Sequence, residues 1–487
     1  MKYKLRLKLM PYRRYLTLAC LIAFFMLLYA WQESNRIFLY SHYPFARSGY
    51  VQVAECPMSG GHLERLYDLS STSEVVYYKQ RIRTRASDYV DREEVLDIPT
   101  NTLFDHRQIL DLDHPCEDWY DMPYEPVELD VPFPYPKRQY SEFMFGVATS
   151  FERLIDSIPQ FSHWLSGSGA RLVVVVVDLA EHIEDLGYLA SLFKTYDIEV
   201  AISGPYREGL GVNEQHFTVI HDMLRHVTPT TKWLGIIDDD TFFPSLYPLA
   251  EIMEDQDHNG PAYLGGLSDS LVALQQHGLM GYGGAGAFLS VPLARQLDPL
   301  IEDCISQSNI QQGDALLKYC ISSQTNTTLT LIPGLNQQDF MGNPDGFYES
   351  GNLPISLHHW KSWHRAPVDQ IAKTSTFCGD CLLQRWHFGE YTVLTNGYSI
   401  AVYEDGITTG ELAMTEGTFD NPHMFEWSLG PLRAKAEDGL KKTYHLVESE
   451  LLGATGLRQL YLYRAPDHGV EDGSKVRDEV IEILWER

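Results

Sequence analysis

Positive charge is what this chain lacks most. Its 487 residues carry 38 Lys and Arg against 66 Asp and Glu, a formal net charge of −28. Lys2, Lys4, Arg6, Lys8, Arg13 and Arg14 supply part of that positive charge within the first fourteen residues, where no acid offsets them. The rest is therefore more acidic still, which argues against nucleic acid or anionic lipid as an electrostatic partner. Cysteine is scarce, at seven. Cys20 lies in an apolar run, leaving Cys56, Cys116, Cys304, Cys320, Cys378 and Cys381, an even set that fits a disulfide-forming compartment. Cys304–Cys320 and Cys378–Cys381 are plausible local bridges. No second CxxC pair accompanies Cys378-Gly379-Asp380-Cys381 and no thioredoxin-like start surrounds it, so a structural bridge is favoured over zinc or redox chemistry. Asn326-Thr327-Thr328 is the one N-glycosylation sequon, usable if that face is lumenal. Internal repeats and low-complexity tracts are absent.

Charge is also missing from Tyr15 to Trp31, an apolar run. As a helix it would span about 25 Å, slightly less than a hydrocarbon core of roughly 30 Å. Short spans suit the thinner membranes of the early secretory pathway. The basic flank precedes the run, so the amino terminus is expected in the cytoplasm and the rest in the lumen. Tyr29-Ala30-Trp31-Gln32 is a poor cleavage site, which favours an uncleaved anchor over a signal peptide. The expected organisation is a cytoplasmic tail at 1–14, a transmembrane signal anchor at 15–31 and a lumenal stem at 32–138. The stem reads as irregular, partly folded around Cys56 and Cys116, and stiffened by Pro123, Pro126, Pro132, Pro134 and Pro136.

Strand and helix signals then alternate. Phe143 to Ala148, Leu172 to Val177, Glu199 to Ser203 and Trp233 to Ile237 read as strands. Ser150 to Leu165, Leu186 to Tyr196 and Glu214 to Val227 read as helices, the first with Leu154, Ile158, Phe161 and Leu165 on one face. That alternation predicts an α/β fold with a doubly wound, mostly parallel sheet over 139–376. From 377 to 487 the texture turns β-rich, with a hairpin signal at Asn396-Gly397 between apolar runs. A small carboxyl-terminal β-rich module is expected there.

The most informative stretch is Trp233-Leu234-Gly235-Ile236-Ile237-Asp238-Asp239-Asp240-Thr241-Phe242. Ligands of parallel sheets collect at the carboxyl ends of strands, where this triplet falls. Three adjacent carboxylates repel one another unless a cation or donors offset them, and a hard divalent ion can do so while holding phosphates. A solvated acidic turn is the bland alternative. Three later segments add to it. Gly283-Gly284-Ala285-Gly286 lets backbone approach a ligand closely, or is simply a tight turn in the core. Asp314 starts an apolar helix as a carboxylate in a site or as an N-cap. Leu357-His358-His359-Trp360-Lys361-Ser362-Trp363-His364 offers imidazoles to a metal and tryptophan faces to a sugar or base, or is a buried aromatic strand.

Together, Phe145-Gly146-Val147-Ala148-Thr149, Lys232 to Thr241, Gly283 to Ser290, Gly313-Asp314 and Leu357-His358-His359 resemble the Fringe-like β1,3-glycosyltransferases of glycosyltransferase family 31. The likeness is to the fungal-type branch with a carboxyl-terminal extension, over about 140–430. It implies a GT-A (Rossmann-like) nucleotide-sugar transferase domain, Mn²⁺ (or Mg²⁺) and a UDP-sugar donor. It assigns Asp240 and His358 as metal ligands, with His359 as the alternative histidine because only one of two strand neighbours can face the metal. Asp238 and Asp239 fall on the donor, Asp238 also being a candidate ligand. Gly283, Gly284, Ala285, Gly286 and Trp360 are expected around the nucleotide sugar. The family's catalytic base falls on Asp314, although the acid that precedes it there is Gly313 here.

The expected function is that of a single-pass type II Golgi (or ER) membrane enzyme. It would transfer galactose or N-acetylglucosamine from a UDP-sugar, with inversion, to a hydroxyl of a glycan or glycoprotein, forming a β1,3 linkage. The alternative is a catalytically inactive sugar-binding or scaffold protein on the same fold, a reading that Gly313 keeps open. A metal-dependent phosphohydrolase would use clustered aspartates but leaves the glycine segment and late histidines without a role.

Overall fold

Residues expected to form an irregular stem form strands instead. A computed structural model of the protein describes residues 65–66, 68–100, 102–105, 107–113, 125–465 and 477–487. The expected tail and membrane anchor, with Cys20, Cys56 and Cys116, lie outside the described residues. Among those described, no helix is long and apolar enough to cross a membrane. The first strands are β1 (Glu74–Ala86), β2 (Val95–Ile98), β3 (Arg107–Asp111) and β4 (Val127–Val131). The charges in β1 disguise it. Arg81, Arg83 and Arg85 alternate with Gln80, Ile82 and Thr84 at the period of a strand, and they pair across to Glu486, Glu128 and Asp130.

The apolar runs of the middle region behave as expected. β5 (Phe143–Thr149), β6 (Arg171–Val176), β7 (Val200–Ser203), β8 (Trp233–Ile236), β9 (Tyr263–Gly265), β10 (Ala287–Ser290) and β11 (Leu329–Leu331) form a seven-stranded sheet in the order β11-β9-β10-β8-β5-β6-β7. Its pairings are parallel except at β10, which runs antiparallel to both β8 and β9. The helices that matter for the site are α1 (Phe151–Leu165), α2 (Leu186–Thr195), α3 (Val212–Arg225) and α4 (Gly313–Gln324). α1 buries Leu154, Ile158, Phe161 and Leu165, each contributing roughly 1.5–3 kcal/mol. α3 lies close against β5 at Gly146, where a Cβ would sit 3.1 Å from Val219 and closer still to Met223. The disulfide Cys304–Cys320 ties α4 to the helix Ile301–Gln307.

After α5 (Val368–Cys378), which ends at the disulfide Cys378–Cys381, the remaining strands are β12 (Arg385–Phe388), β13 (Thr392–Thr395), β14 (Ser399–Tyr403), β15 (Thr415–Gly417), β16 (Leu432–Ala434), β17 (Lys441–Leu452), β18 (Gly456–Tyr463) and β19 (Asp478–Glu486). The expected hairpin is β13–β14, with Gly397 at φ +83° in its turn. β15 and β16 form a small parallel ribbon. The others join β1 to β4 in one ten-stranded sheet, where β1 lies parallel to β19 from Val75↔Asp478 to Arg83↔Glu486. The expected separation into stem and terminal module is thereby corrected, since the two ends of the described chain complete one sheet. One apolar core also runs through both sheets, from Phe145 and Phe243 to Trp386 and Trp485.

Buried charges join the layers. Lys441 on β17 lies 2.6 Å from Glu349 and 2.8 Å from Glu416, and Arg433 lies 2.7 Å from Glu416. Desolvating such groups is costly, so the arrangement depends on every partner being present.

Candidate active site

The triplet leaves β8 at its carboxyl end, and the next residues fix its course. Thr241 accepts the Asp238 N–H through its hydroxyl oxygen at 3.0 Å, and donates that hydroxyl to the Gly284 carbonyl at 3.1 Å. Phe242 and Leu357 then exchange backbone hydrogen bonds, each 2.8 Å long. This isolated antiparallel bridge sets Leu357-His358-His359 beside Asp238 to Asp240.

His358 is buried, and its Nδ1–H donates to the Gln337 carbonyl at 2.8 Å. That bond turns Nε2 toward Asp240 Oδ1 at 3.0 Å and Asp238 Oδ2 at 3.3 Å. A ring whose second nitrogen is held by a carbonyl is the usual arrangement of a metal-binding histidine. His359 Nδ1 lies 4.0 Å from Asp240 Oδ2, and its Nε2 lies 3.5 Å from Asp339. One ligand atom each from Asp240, His358 and His359 falls within a 4.8 Å group. A mixed carboxylate–imidazole set of this kind fits a divalent transition ion.

The strand alternation behind the choice between the two histidines does not hold at this point. The chain leaves extended geometry after Leu357, and His359 takes a left-handed conformation at φ +54°. Both rings therefore turn to the same side, with centroids 3.7 Å apart. Such a backbone costs about 1–3 kcal/mol in a residue other than glycine, and strain of this kind gathers at functional sites.

The electrostatics follow from crowding. Burial opposes a charge on His358, but hydrogen bonds and charge from Asp238 and Asp240 outweigh it and hold its pKa well above the ordinary histidine value. Burial would raise Asp240, yet His358 holds it well below the usual carboxylate range. Burial, with the charge of His358, moves His359 the other way, below the ordinary value.

Asp314 lies in the first turn of α4 and lines the same cleft, of about 470 Å³, as Asp238, Asp240, His358 and His359. Its Oδ1 accepts the Gly283 N–H at 3.0 Å and the His216 Nε2–H at 2.9 Å. The sequence reading missed His216, on α3. Burial would depress its pKa, but Asp314 and Asp238 push it up to about 9.

Other expected residues take different places. Asp239 lines the cleft, but its carboxylate is held by protein: Arg153 of α1 at 2.6 and 2.5 Å, Lys361 at 3.2 Å and the Thr149 hydroxyl. The glycine segment does not line the cleft; it seats the histidines. A Cβ on Gly284 would lie 2.6 Å from His358 Nε2, and one on Gly283 would lie 2.5 Å from His216 Nε2. Ala285 donates its N–H to the Gln337 side chain at 2.8 Å, and Gly286 turns the chain at φ +101° into β10. Trp360 is 6% exposed and packs into the core, so it offers no face to a ligand. Trp363 does, at 44% exposure on the cleft wall, stacked 3.7 Å from His359.

Gly313 has a packing reason. A Cβ there would lie 2.5 Å from the Asn213 carbonyl oxygen and 2.9 Å from His216 Cβ, where α3 and α4 meet. The residue that departs from the resembled pattern is thus the one that lets His216 reach Asp314.

Comparison with known proteins adds three findings. A family model described as a protein of unknown function, DUF604, matches residues 275–428. That stretch takes in Gly283 to Gly286, Asp314, His358 and His359 and leaves the aspartate triplet outside. A β-1,3-glucosyltransferase of Mus musculus is 30% identical over 161 residues, which is 31% of this chain and 29% of that protein. The chain thus spans less than a third of the curated relative, which is a glycosyltransferase; neither match singles out the Fringe-like branch. Among solved structures, the galactosyltransferase LgtC in complex with donor and acceptor sugar analogs aligns over 47% of this chain and 81% of its own, at 11% identity and a TM-score of 0.28. The mannosyltransferase PcManGT from Pyrobaculum calidifontis, in complex with GDP-Man and Mn²⁺, aligns over 43% and 60%, at 10% identity and a TM-score of 0.26. Superpositions this loose define no shared fold.

Proposed function

We propose that the protein is an inverting, metal-dependent glycosyltransferase that moves a hexose from a UDP-sugar to a glycan hydroxyl. The observation that carries this reading is the convergence of Asp240, His358 and His359 at the carboxyl end of β8, in one cleft with Asp314. Asp240, His358 and His359 would hold the ion, with Asp238 beside them. Two imidazoles favour Mn²⁺ over Mg²⁺, which prefers oxygen ligands and keeps its waters. Bound there, the ion would act as a Lewis acid and offset charge on the departing diphosphate.

The chain's own groups supply the rest. Arg153, on the cleft wall and paired with Asp239, gives an otherwise acidic pocket a cation that can meet phosphate oxygens. Asp314 has Oδ1 fixed by two donors, which leaves Oδ2 to take the acceptor's proton as its oxygen attacks the anomeric carbon. The bond to the diphosphate breaks on the opposite side, so an α-linked donor gives a β-linked product. Trp363 offers the aromatic face expected of Trp360, suited to the apolar face of a sugar ring.

The name of the mouse relative supports glucose as donor sugar alongside galactose and N-acetylglucosamine, and a β1,3 linkage. The basic flank and apolar run at 15–31 support a type II anchor in the Golgi or ER membrane with a lumenal catalytic unit. Helix packing gives Gly313 a reason that does not require lost catalysis.

A panel of UDP- and GDP-sugars, incubated with the full chain and Mn²⁺, tests the reading. Metal-dependent release of UDP from a UDP-hexose is the expected result. Sugar binding without turnover across the whole panel would favour a sugar-binding protein instead.

A further inference from the structure

We infer that His216 is the positioning residue for the base, holding Asp314 in register with Asp238. This rests on the proposed role of Asp314. Oδ1 of Asp314 takes both the His216 Nε2–H at 2.9 Å and the Gly283 N–H at 3.0 Å. Two donors converging on one oxygen restrain the carboxylate, and neither of them occupies Oδ2. The other nitrogen of the same ring, Nδ1, lies 3.4 Å from Asp238 Oδ1. One buried imidazole therefore touches the proposed base on one side and the first aspartate of the triplet on the other.

The slot for that ring is built by glycines from two separate segments. A Cβ at Gly283 would lie 2.5 Å from His216 Nε2, and one at Gly313 would lie 2.9 Å from His216 Cβ. A side chain at Gly313 would meet the Asn213 backbone carbonyl, and one at Gly283 would push the His216 ring from its place. At Gly313 the resembled family carries an acid next to its base; here an imidazole from α3 packs against that position. A base whose angle is held by a neighbour reaches the attacking hydroxyl with little reorganisation, and small misplacements cost rate rather than affinity.

The experiment uses the full chain with Mn²⁺ and the UDP-sugar it hydrolyses, comparing wild type, His216→Leu, His216→Gln, Asp314→Asn and Asp314→Asn with His216→Leu. Leu removes the donor, whereas Gln can place an amide N–H near the position of Nε2. His216→Leu should lower kcat about 10²-fold with donor KM within about twofold, and His216→Gln should recover most of that loss. In the Asp314→Asn background, His216→Leu should cost no more than about threefold, because residues acting as a unit are not additive. Thermal midpoints are recorded alongside. Equal losses in the Leu and Gln variants, or a full 10²-fold loss persisting in the Asp314→Asn background, would overturn the inference. Wild-type turnover in His216→Leu with an inactive Asp314→Asn would overturn it while sparing the base. Wild-type turnover in Asp314→Asn itself would remove the base assignment.

Discussion

The backbone of Phe242 is paired to that of Leu357 by two hydrogen bonds of 2.8 Å, and the convergence of Asp240, His358 and His359 depends on that bridge. It brings an acidic strand end and a pair of histidines from distant parts of the sequence to one point. His359 then turns left-handed, which admits a second imidazole to the same side.

The first prediction concerns protons. His358 is held in its protonated form by Asp238 and Asp240, its pKa lying well above the ordinary value. An ion binding at Nε2 must displace that proton. Below the raised pKa, Mn²⁺ affinity should therefore rise with pH, by about tenfold per unit where one proton leaves. Calorimetry between about pH 6 and pH 8, in buffers of differing ionisation enthalpy, measures the protons released. Affinity independent of pH, with no release, would contradict the assignment of Nε2.

Gly284 is not a ligand, yet its substitution should act as if it were. A Cβ there lies 2.6 Å from His358 Nε2, so Gly284→Ala must displace the ring. A drop of about 10–100-fold in Mn²⁺ affinity is expected, the range seen when groups that orient a ligand are lost. Titration of Mn²⁺ into the purified variant reads it directly, and unchanged affinity would show that the ring has another place to go.

The buried charges between the layers give a stability test. Lys441→Met leaves Glu349 without its cation and Glu416 with Arg433 alone. Breaking a buried pair by removing one partner costs about 3–5 kcal/mol. Burial already raises the Glu349 pKa, and Lys441 opposes that shift. Without Lys441 the carboxyl should take up a proton more readily, so the deficit should shrink as pH falls. Denaturant midpoints at neutral and mildly acidic pH measure both effects, and a loss below about 1 kcal/mol would show the network to be dispensable.

Much of the sheet was legible because its signal is local. The runs Leu172 to Val177 and Trp233 to Ile237 are too apolar for any exposed element, and α1 carries its buried face in its spacing. Asp240, His358 and Asp314 were legible as a set through resemblance. What stayed hidden depends on distant partners. β1 pairs with β19 across nearly the whole chain, and its alternating arginines resemble solvated stem until Glu486 and Asp130 stand opposite. His216 lies in no motif; the only hints were the polar residues Gln215, Thr218 and Asp222 on a helix that buries them all, and the missing acid at Gly313. Trp360 is buried and Trp363 faces the cleft because the chain turns at His359, which strand periodicity does not foresee.

The most direct measurement is UDP release from a UDP-hexose by the full chain with and without Mn²⁺, for wild type, Asp240→Asn and His358→Gln. Release that requires Mn²⁺ in wild type and falls at least about 10²-fold in both variants is the predicted result. Release that proceeds equally without the ion, or equally in the variants, would contradict a metal-dependent sugar transfer at this site.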